Sequence, residues 1–142
     1  MSDTSRILVP VDGSEHANRA LRFALARAAR DGSEVHVLNV RTPVPQSVSD
    51  FVQRENIDSF YREEAEADLA GARGLLKESA AVNRVAVLIG SPAEAIAQYV
   101  ADNGMTEVVM GRRGLGRLAG LLMGSVATQV LHLVDVPVTL VK

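Results

Sequence analysis

Short apolar runs alternate along the chain with longer segments in which apolar residues recur every three or four positions. The runs are rich in Val, Ile and Leu, and most lack a polar face, which is typical of strands buried on both sides of a parallel sheet. Five strands are predicted, at residues 7–11, 35–40, 85–89, 108–110 and 136–141.

The segments between these runs have the spacing of amphipathic helices. Their predicted buried faces are Ala17, Leu21, Ala24, Leu25 and Ala28; Ile57, Tyr61, Ala65, Leu69, Ala72 and Leu76; Ala93, Ile96, Ala97 and Val100; and Val126, Val130, Leu133 and Val134. Residues 91–94 (Ser-Pro-Ala-Glu) predict a capping box with proline at the first helical position. Gly32 and Gly104 are predicted to cap the carboxyl ends of two helices.

The element order βαβαβαβαβ implies a parallel sheet with helices on both faces. Right-handed crossovers leave few arrangements, of which a five-stranded doubly wound sheet is the leading one. The length predicts a single domain over residues 1–142. One long connection, residues 42–54, has the length typical of functional or mobile loops. Residues 50–68 then carry seven acids and two arginines, which most simply form a solvated helix face.

Composition excludes several classes of protein. With 47% hydrophobic and 23% charged residues, the chain is expected to fold rather than remain disordered. A net charge of −2 disfavours a general nucleic-acid binder. The absence of cysteine excludes a disulfide scaffold, a thiolate metal site and a cysteine nucleophile. His16, His36 and His132 are too far apart in sequence to form a metal-ligand motif, so no metal site is predicted.

Neither a secretory signal nor a membrane span is visible in the sequence. The longest apolar runs have about six residues, far short of the roughly 20 that cross a bilayer. The sequence therefore predicts a soluble cytoplasmic protein without a membrane partner.

The segment after the fourth strand carries the candidate chemistry. Five of the eleven glycines lie in residues 111–124, and residues 108–134 contain three arginines and no acid. Glycine lets backbone N–H groups approach a phosphate, and Gly124-Ser125 opens a helix whose free N–H groups favour an anion. Arg112, Arg113 and Arg117 could pair with phosphate oxygens. The segment is interpreted as a phosphate-binding loop, with a flexible surface loop as the alternative.

Other nucleotide motifs fit this chain less well. Residues 114–119 match G-x-G-x-x-A, but they do not follow the first strand and no suitable acid comes after them. The lysine-containing phosphate loop of NTPases is absent. Asp12-Gly13-Ser14 is not the Ser/Thr-rich loop of a flavodoxin. The third strand ends at Gly90, where a receiver domain would carry its phospho-acceptor aspartate.

The sequence resembles the universal stress protein family over essentially the whole chain. The matching segments are Ile-Leu-Val-Pro-Val-Asp-Gly-Ser at 7–14, Gly-Ser-Pro at 90–92 and Pro-Val-Thr-Leu-Val at 137–141. The most specific part is G-x2-G-x9-G-[S/T], the motif of the family's ATP-binding branch. Gly111, Gly114, Gly124 and Ser125 match it with both spacings intact.

The resemblance implies a Rossmann-like α/β fold of the adenine nucleotide alpha hydrolase type. Its five-stranded parallel sheet has the order 3-2-1-4-5, which puts the carboxyl ends of the first and fourth strands side by side. Ligands of open α/β sheets bind where the winding reverses in this way.

The resemblance also implies a nucleotide site. Asp12 would accept hydrogen bonds from the adenine or ribose end, although an aspartate there could instead cap the first helix, as Ser14 also can. The remaining implied contacts are Pro10 and Val40 beside the base, Met110 and Gly111 at the ribose, and Gly114, Gly124, Ser125 and Val126 around the phosphates. Arg112, whose charge suits a phosphate, is added to these as a candidate contact. The implied ligand is ATP, with Mg²⁺, or alternatively AMP or ADP. Ala127 stands where some members carry a hydroxyl residue, so one phosphate contact is expected to be missing.

The family commonly dimerises through its last strand, here Val138 to Val141, and an unpaired apolar edge is a physical reason to expect such a partner. The leading interpretation is a homodimeric stress-response protein that ATP regulates or stabilises. A slow ATP hydrolase, or a protein that phosphorylates itself at Ser125, is the first alternative. An interaction protein without nucleotide is the second. No catalytic residue is assigned, because neither a metal holder nor a group that positions the nucleophile is identified.

Overall fold

The computed structural model describes residues 4–112 and 123–142, which contain one five-stranded, all-parallel sheet with the order β3-β2-β1-β4-β5. The strands are β1 (Arg6–Pro10), β2 (Glu34–Arg41), β3 (Asn83–Ile89), β4 (Glu107–Gly111) and β5 (Val138–Val141). The helices are α1 (Glu15–Asp31), α2 (Gln46–Ser49), α3 (Arg54–Lys77), α4 (Pro92–Asn103) and α5 (Ser125–Leu133). The predicted fold class and strand order are confirmed.

The two faces of the sheet have separate apolar cores. Ile7 and Val9 of β1 pack with α1 and α3 on one face, whereas Leu8 packs with α4 and α5 on the other. Because both faces are covered at the central strand, its successive residues Ile7, Leu8 and Val9 are all apolar and fully buried, as the sequence pattern indicated.

Strand bounds differ from the predictions by one or two residues. The main difference is β5, which begins at Val138 rather than at residue 136. Proline has no N–H to give to a ladder, and Pro137 contributes only its carbonyl, which accepts from the Val108 amide at 2.9 Å. The ladder of β5 therefore starts one residue after this proline.

Most predicted helix ends are confirmed. Gly32 and Gly104 have φ of 78° and 61°, and their amides donate to the carbonyls of Ala28 and Val100. Ser91 stands before α4, but its side chain makes no capping hydrogen bond within the described residues, so the predicted capping box is wrong in that respect.

The residues of the predicted helix faces are buried or half-buried except at one helix end. The α5 face buries Ala127 and Val130, whereas Leu133 is 49% exposed, contrary to the prediction. Leu133 is the last residue of α5, where the chain turns towards β5.

The long connection after β2 contains α2, which the sequence did not predict. A single helical turn of four residues is too short for periodicity to reveal. The Val44 amide donates to the Tyr61 hydroxyl at 2.7 Å and attaches this connection to α3. No helix in the described ranges is long and apolar enough to span a membrane.

Candidate functional site

A cleft of about 250 Å³ lies at the carboxyl edge of the sheet, where β1 and β4 are neighbours. The connection from β1 leads to α1 on one face, and the connection from β4 leads to α5 on the other, so the chain opens between them. The described residues that line the cleft are Pro10, Val11, Asp12, Ser14, Ala17, Leu38, Val40, Pro92, Ile96, Met110, Gly111, Arg112, Gly124, Ser125, Val126 and Ala127.

One part of the cleft is apolar. Pro10 and Val40 come from the ends of neighbouring strands, and Pro92 and Ile96 come from the first turns of α4. Flat aromatic ligands favour surfaces of this kind, which bury their ring faces and leave their edges for polar contacts.

Asp12 lies in the turn between β1 and α1. Its Oδ1 accepts a hydrogen bond from the Ser14 amide at 3.0 Å, an arrangement that fixes aspartate side chains in turns. Ser14 caps α1, because its hydroxyl oxygen accepts from the Ala17 amide at 3.2 Å. The capping role is therefore carried by Ser14, and the Asp12 side chain lines the cleft.

The amino end of α5 forms another side of the cleft. Gly124 precedes the helix in an extended conformation, and its amide donates to the Arg112 carbonyl at 2.8 Å. This bond brings α5 next to the end of β4. The first N–H groups of a helix have no partner inside it and carry partial positive charge, so this end favours an anion.

Arg112 adds a cation to the same region. Its backbone amide donates to the Val141 carbonyl at 2.9 Å, which continues the pairing of β4 with β5. Its side chain lines the cleft, and its buried Nε has no hydrogen-bond partner among residues 4–112 and 123–142. A buried guanidinium nitrogen without an acceptor is costly, and a ligand oxygen would satisfy it.

The structure brings nearly all of the predicted site residues together. Nine of the ten line the cleft, namely Pro10, Asp12, Val40, Met110, Gly111, Arg112, Gly124, Ser125 and Val126. The tenth, Gly114, lies outside the described residues, as do Arg113 and Arg117.

Sequence reasoning did not assign Pro92 and Ile96 to the site. The segment Gly90-Ser91-Pro92, which resembles the family, is the sequence signal nearest to these two residues. Their contribution depends on how α4 packs on the sheet, which local pattern does not reveal. Within the ranges that the structure describes, no group of three or more His, Asp or Glu residues could hold a metal ion.

The fold and the cleft define a Rossmann-like α/β protein with a cleft at the point where the winding of the sheet reverses. The chain belongs to the universal stress protein family, whose profile matches residues 4–142.

Relatives and solved structures agree with this assignment. The universal stress protein in the QAH/OAS sulfhydrylase 3′ region of Thermus aquaticus is 33% identical over 141 residues, covering 96% of this chain and 97% of that protein. The structure of hypothetical protein MJ0577 is similar with a TM-score of 0.83 and 29% identity, covering 97% of this chain and 95% of that one. The universal stress protein from Archaeoglobus fulgidus in complex with dAMP has a TM-score of 0.70 and 24% identity, with both chains fully covered.

Proposed function

We propose that this protein binds an adenine nucleotide in the cleft between β1 and β4, and that the nucleotide acts as a regulatory or stabilising ligand. One observation carries the proposal. The cleft combines an apolar wall and a carboxylate with an end that attracts anions, which are the three features that a nucleotide requires.

The nucleoside end of the ligand is assigned to the apolar wall. Pro10 and Val40 flank the base, and Met110 and Gly111 contact the ribose. Asp12 accepts a hydrogen bond from the exocyclic amine of adenine or from a ribose hydroxyl. A carboxylate only accepts hydrogen bonds, so it favours adenine over a purine with a carbonyl at the same position.

The phosphate end of the ligand is assigned to α5 and Arg112. The backbone amides of Gly124, Ser125 and Val126 and the Ser125 hydroxyl donate to phosphate oxygens, and Arg112 adds a charge-assisted hydrogen bond. Gly114, which the motif places near the phosphates, is proposed to add a further backbone donor. A universal stress protein with the same fold was solved in complex with dAMP, which supports an adenine nucleotide as the ligand.

ATP is the proposed ligand, and AMP and ADP share its nucleoside contacts. Mg²⁺ would enter with ATP, held mainly by phosphate oxygens and water, as is usual for this ion. Binding is proposed rather than efficient turnover, because phosphoryl transfer needs a metal holder and a group that positions the nucleophile. Asp12 is the single carboxylate among the described residues that line the cleft.

We further propose a homodimer that forms through β5. Within the described sheet, β5 pairs with β4 on one edge only, and its residues Val138–Val141 are all half-buried. A second copy pairing along this edge would satisfy its backbone groups and cover its apolar side chains. The lack of cysteine fits a reducing compartment, and we propose the cytoplasm.

Thermal melting with and without ligand tests the proposed site. At 100 times Kd, a ligand stabilises the folded state by about 2.7 kcal/mol. For a domain of this size we expect Mg-ATP to raise Tm by about 5–10 °C. Gly124→Val should abolish the shift, because its side chain would crowd the phosphate end. Gly74→Ala is the matched control, since Gly74 lies on α3 with no atom within 4 Å of a modest added side chain, and it should keep the shift.

The protein used must be free of nucleotide carried through purification, which extraction of the denatured protein can verify. If neither ATP, ADP nor AMP then changes Tm, the nucleotide proposal is wrong. An interaction protein with this fold would be the remaining interpretation.

A further inference from the structure

Asn39 is a completely buried polar residue in β2, and all of its side-chain groups are satisfied. Its Nδ2 donates to the Val11 carbonyl at 2.8 Å and to Asp68 Oδ2 at 3.1 Å. Its Oδ1 accepts from Arg41 Nη1 at 3.4 Å. Since a buried amide is costly unless every group is paired, this position is closely defined by its partners.

Asp68 of α3 connects the same contacts to the outer layer of the fold. It forms an ion pair with Arg41, whose guanidinium also lies 3.7 Å from Glu64. Asp68 and Glu64 are half-buried, whereas the other five acids of residues 50–68 are exposed, so the predicted solvated face does not extend to these two.

Asp68 also packs directly behind the turn after β1. Gly13 has φ of 87°, and a Cβ placed there would lie 3.0 Å from Asp68 Oδ1 and 3.3 Å from Asp68 Cα. The backbone of Gly13 therefore rests on the Asp68 side chain, with no room for a larger residue.

These contacts hold the chain on both sides of Asp12. Before it, the Val11 amide donates to the Leu38 carbonyl at 2.8 Å, and the Val11 carbonyl accepts from Asn39. After it, Gly13 packs on Asp68. The polar network thus converges on the single turn that carries the carboxylate of the cleft.

We propose that Asn39 and Asp68 are positioning residues that hold the Asp12 carboxylate where it meets the nucleoside. This inference rests on the proposed function. An apolar side chain of similar size could fill the space of Asn39 without requiring partners, but it could not hold the Val11 carbonyl. The network therefore determines affinity at the nucleoside end in addition to contributing to stability.

The experiment compares AMP affinity, by isothermal titration calorimetry, for the wild type and for Asn39→Leu. Loss of the hydrogen bond to Val11 should weaken AMP binding by about tenfold. Val37→Ala is the matched control, because Val37 is two residues earlier on the same face of β2, is fully buried and does not line the cleft. It should lower the stability but leave AMP affinity within twofold of the wild type.

A double-mutant cycle with Asp12→Asn separates positioning from a general structural effect. This substitution keeps Oδ1 to accept from the Ser14 amide but removes the charge. If Asn39 acts through Asp12, the double variant should bind AMP about as weakly as the weaker single variant. If the two substitutions act independently, the fold-losses of AMP affinity in the single variants should multiply in the double variant.

Circular dichroism establishes that each variant is folded at the temperature of the titration. If Asn39→Leu does not fold, Asp68→Ala replaces it, because Asp68 lies on an outer helix and its side chain is 23% exposed. The same loss of AMP affinity is expected. Affinity within twofold of the wild type, or losses that multiply in the cycle, would overturn this inference alone. If the wild type binds no adenine nucleotide, both the proposed function and this inference are wrong.

Discussion

Gly111 lies against His16 so closely that a Cβ on Gly111 would be 2.9 Å from the backbone carbon, the carbonyl oxygen and the Cβ of His16. Gly111 is the last residue of β4, and His16 is in the first turn of α1. The close approach of these two elements closes the cleft between β1 and β4 on the face that α1 covers.

Gly111→Ala is expected to destabilise the fold. The added methyl would meet backbone atoms, which cannot rotate away, and overpacking of this kind costs about 1–3 kcal/mol. Urea unfolding at neutral pH measures the difference. Gly74→Ala in α3 has open space and should stabilise the helix by up to about 1 kcal/mol. Equal stability of Gly111→Ala and the wild type would show that the β4–α1 contact is looser than the structure indicates.

The strands were predictable from the sequence because most of them are short apolar runs bounded by turn residues, whereas their order was implied by the resemblance to the family. Gly32 and Gly104 marked helix ends correctly, since a left-handed cap favours glycine for local steric reasons. The cleft residues from β1 and β4 were predictable for a related reason. Residues at the carboxyl ends of adjacent parallel strands necessarily meet at one edge of the sheet.

Contacts between elements distant in the sequence could not be predicted in this way. Asn39 and Asp68 are separated by 29 positions, and Asp68 belongs to a run of acids that resembles any solvated helix face. Pro92 and Ile96 reach the cleft only because α4 packs across the sheet. These positions depend on tertiary packing. The spacing of apolar residues within one segment does not reveal which distant segment it contacts.

Glu107→Gln is expected to lower stability at neutral pH by about 1–3 kcal/mol, because Glu107 accepts charge-assisted hydrogen bonds. Arg27 donates to its two oxygens at 2.8 and 2.5 Å, and Thr139 donates at 3.0 Å, which joins α1, β4 and β5. The hydrogen bonds from Arg27 hold the pKa of Glu107 below its usual value of 4.5. The stabilisation is therefore present above about pH 4.5 and is lost as the pH falls through the lowered pKa of the folded state.

Denaturant unfolding at pH 7 and at pH 3 measures this effect, and Glu66→Gln is its control. Glu66 also pairs with an arginine, Arg73, through two hydrogen bonds of 2.8 Å, but both side chains are about half exposed. Solvent screens such a pair, so its loss should change stability much less. If the two variants are equally stable, partial burial does not strengthen the pair of Arg27 and Glu107.

His36 should make stability depend on pH below about 6.5, the usual pKa of histidine. Burial disfavours the imidazolium form and lowers the pKa of His36 from 6.5, although the hydrogen bond to Glu34 opposes this. A neutral ring with its proton on Nε2 satisfies both neighbours, accepting from the Tyr99 hydroxyl at 2.8 Å and donating to Glu34 at 3.4 Å. Because the unfolded chain binds the proton more readily, stability should fall as the pH drops below 6.5.

Unfolding free energies of His36→Asn across this range test the assignment. The variant should lose the part of the pH dependence that His36 contributes, whereas His132→Asn, at an exposed position, should retain it. The same slope in His36→Asn and the wild type would mean that another group titrates. The nearby Arg84 and Arg6 also disfavour the charged imidazole.

Arg112→Gln should weaken binding in proportion to the phosphate content of the ligand. A guanidinium at the phosphate end contributes a charge-assisted hydrogen bond, so its loss should reduce ATP affinity by about tenfold. Adenosine, which lacks phosphate, should bind both proteins equally, and salt should weaken ATP binding less in the variant than in the wild type. Arg30→Gln is the control, since Arg30 is exposed in the last turn of α1, at the opposite edge of the sheet from the cleft. Titration calorimetry with adenosine, AMP and ATP measures these affinities. An equal loss for adenosine and ATP would assign Arg112 to the architecture of the cleft rather than to phosphate recognition.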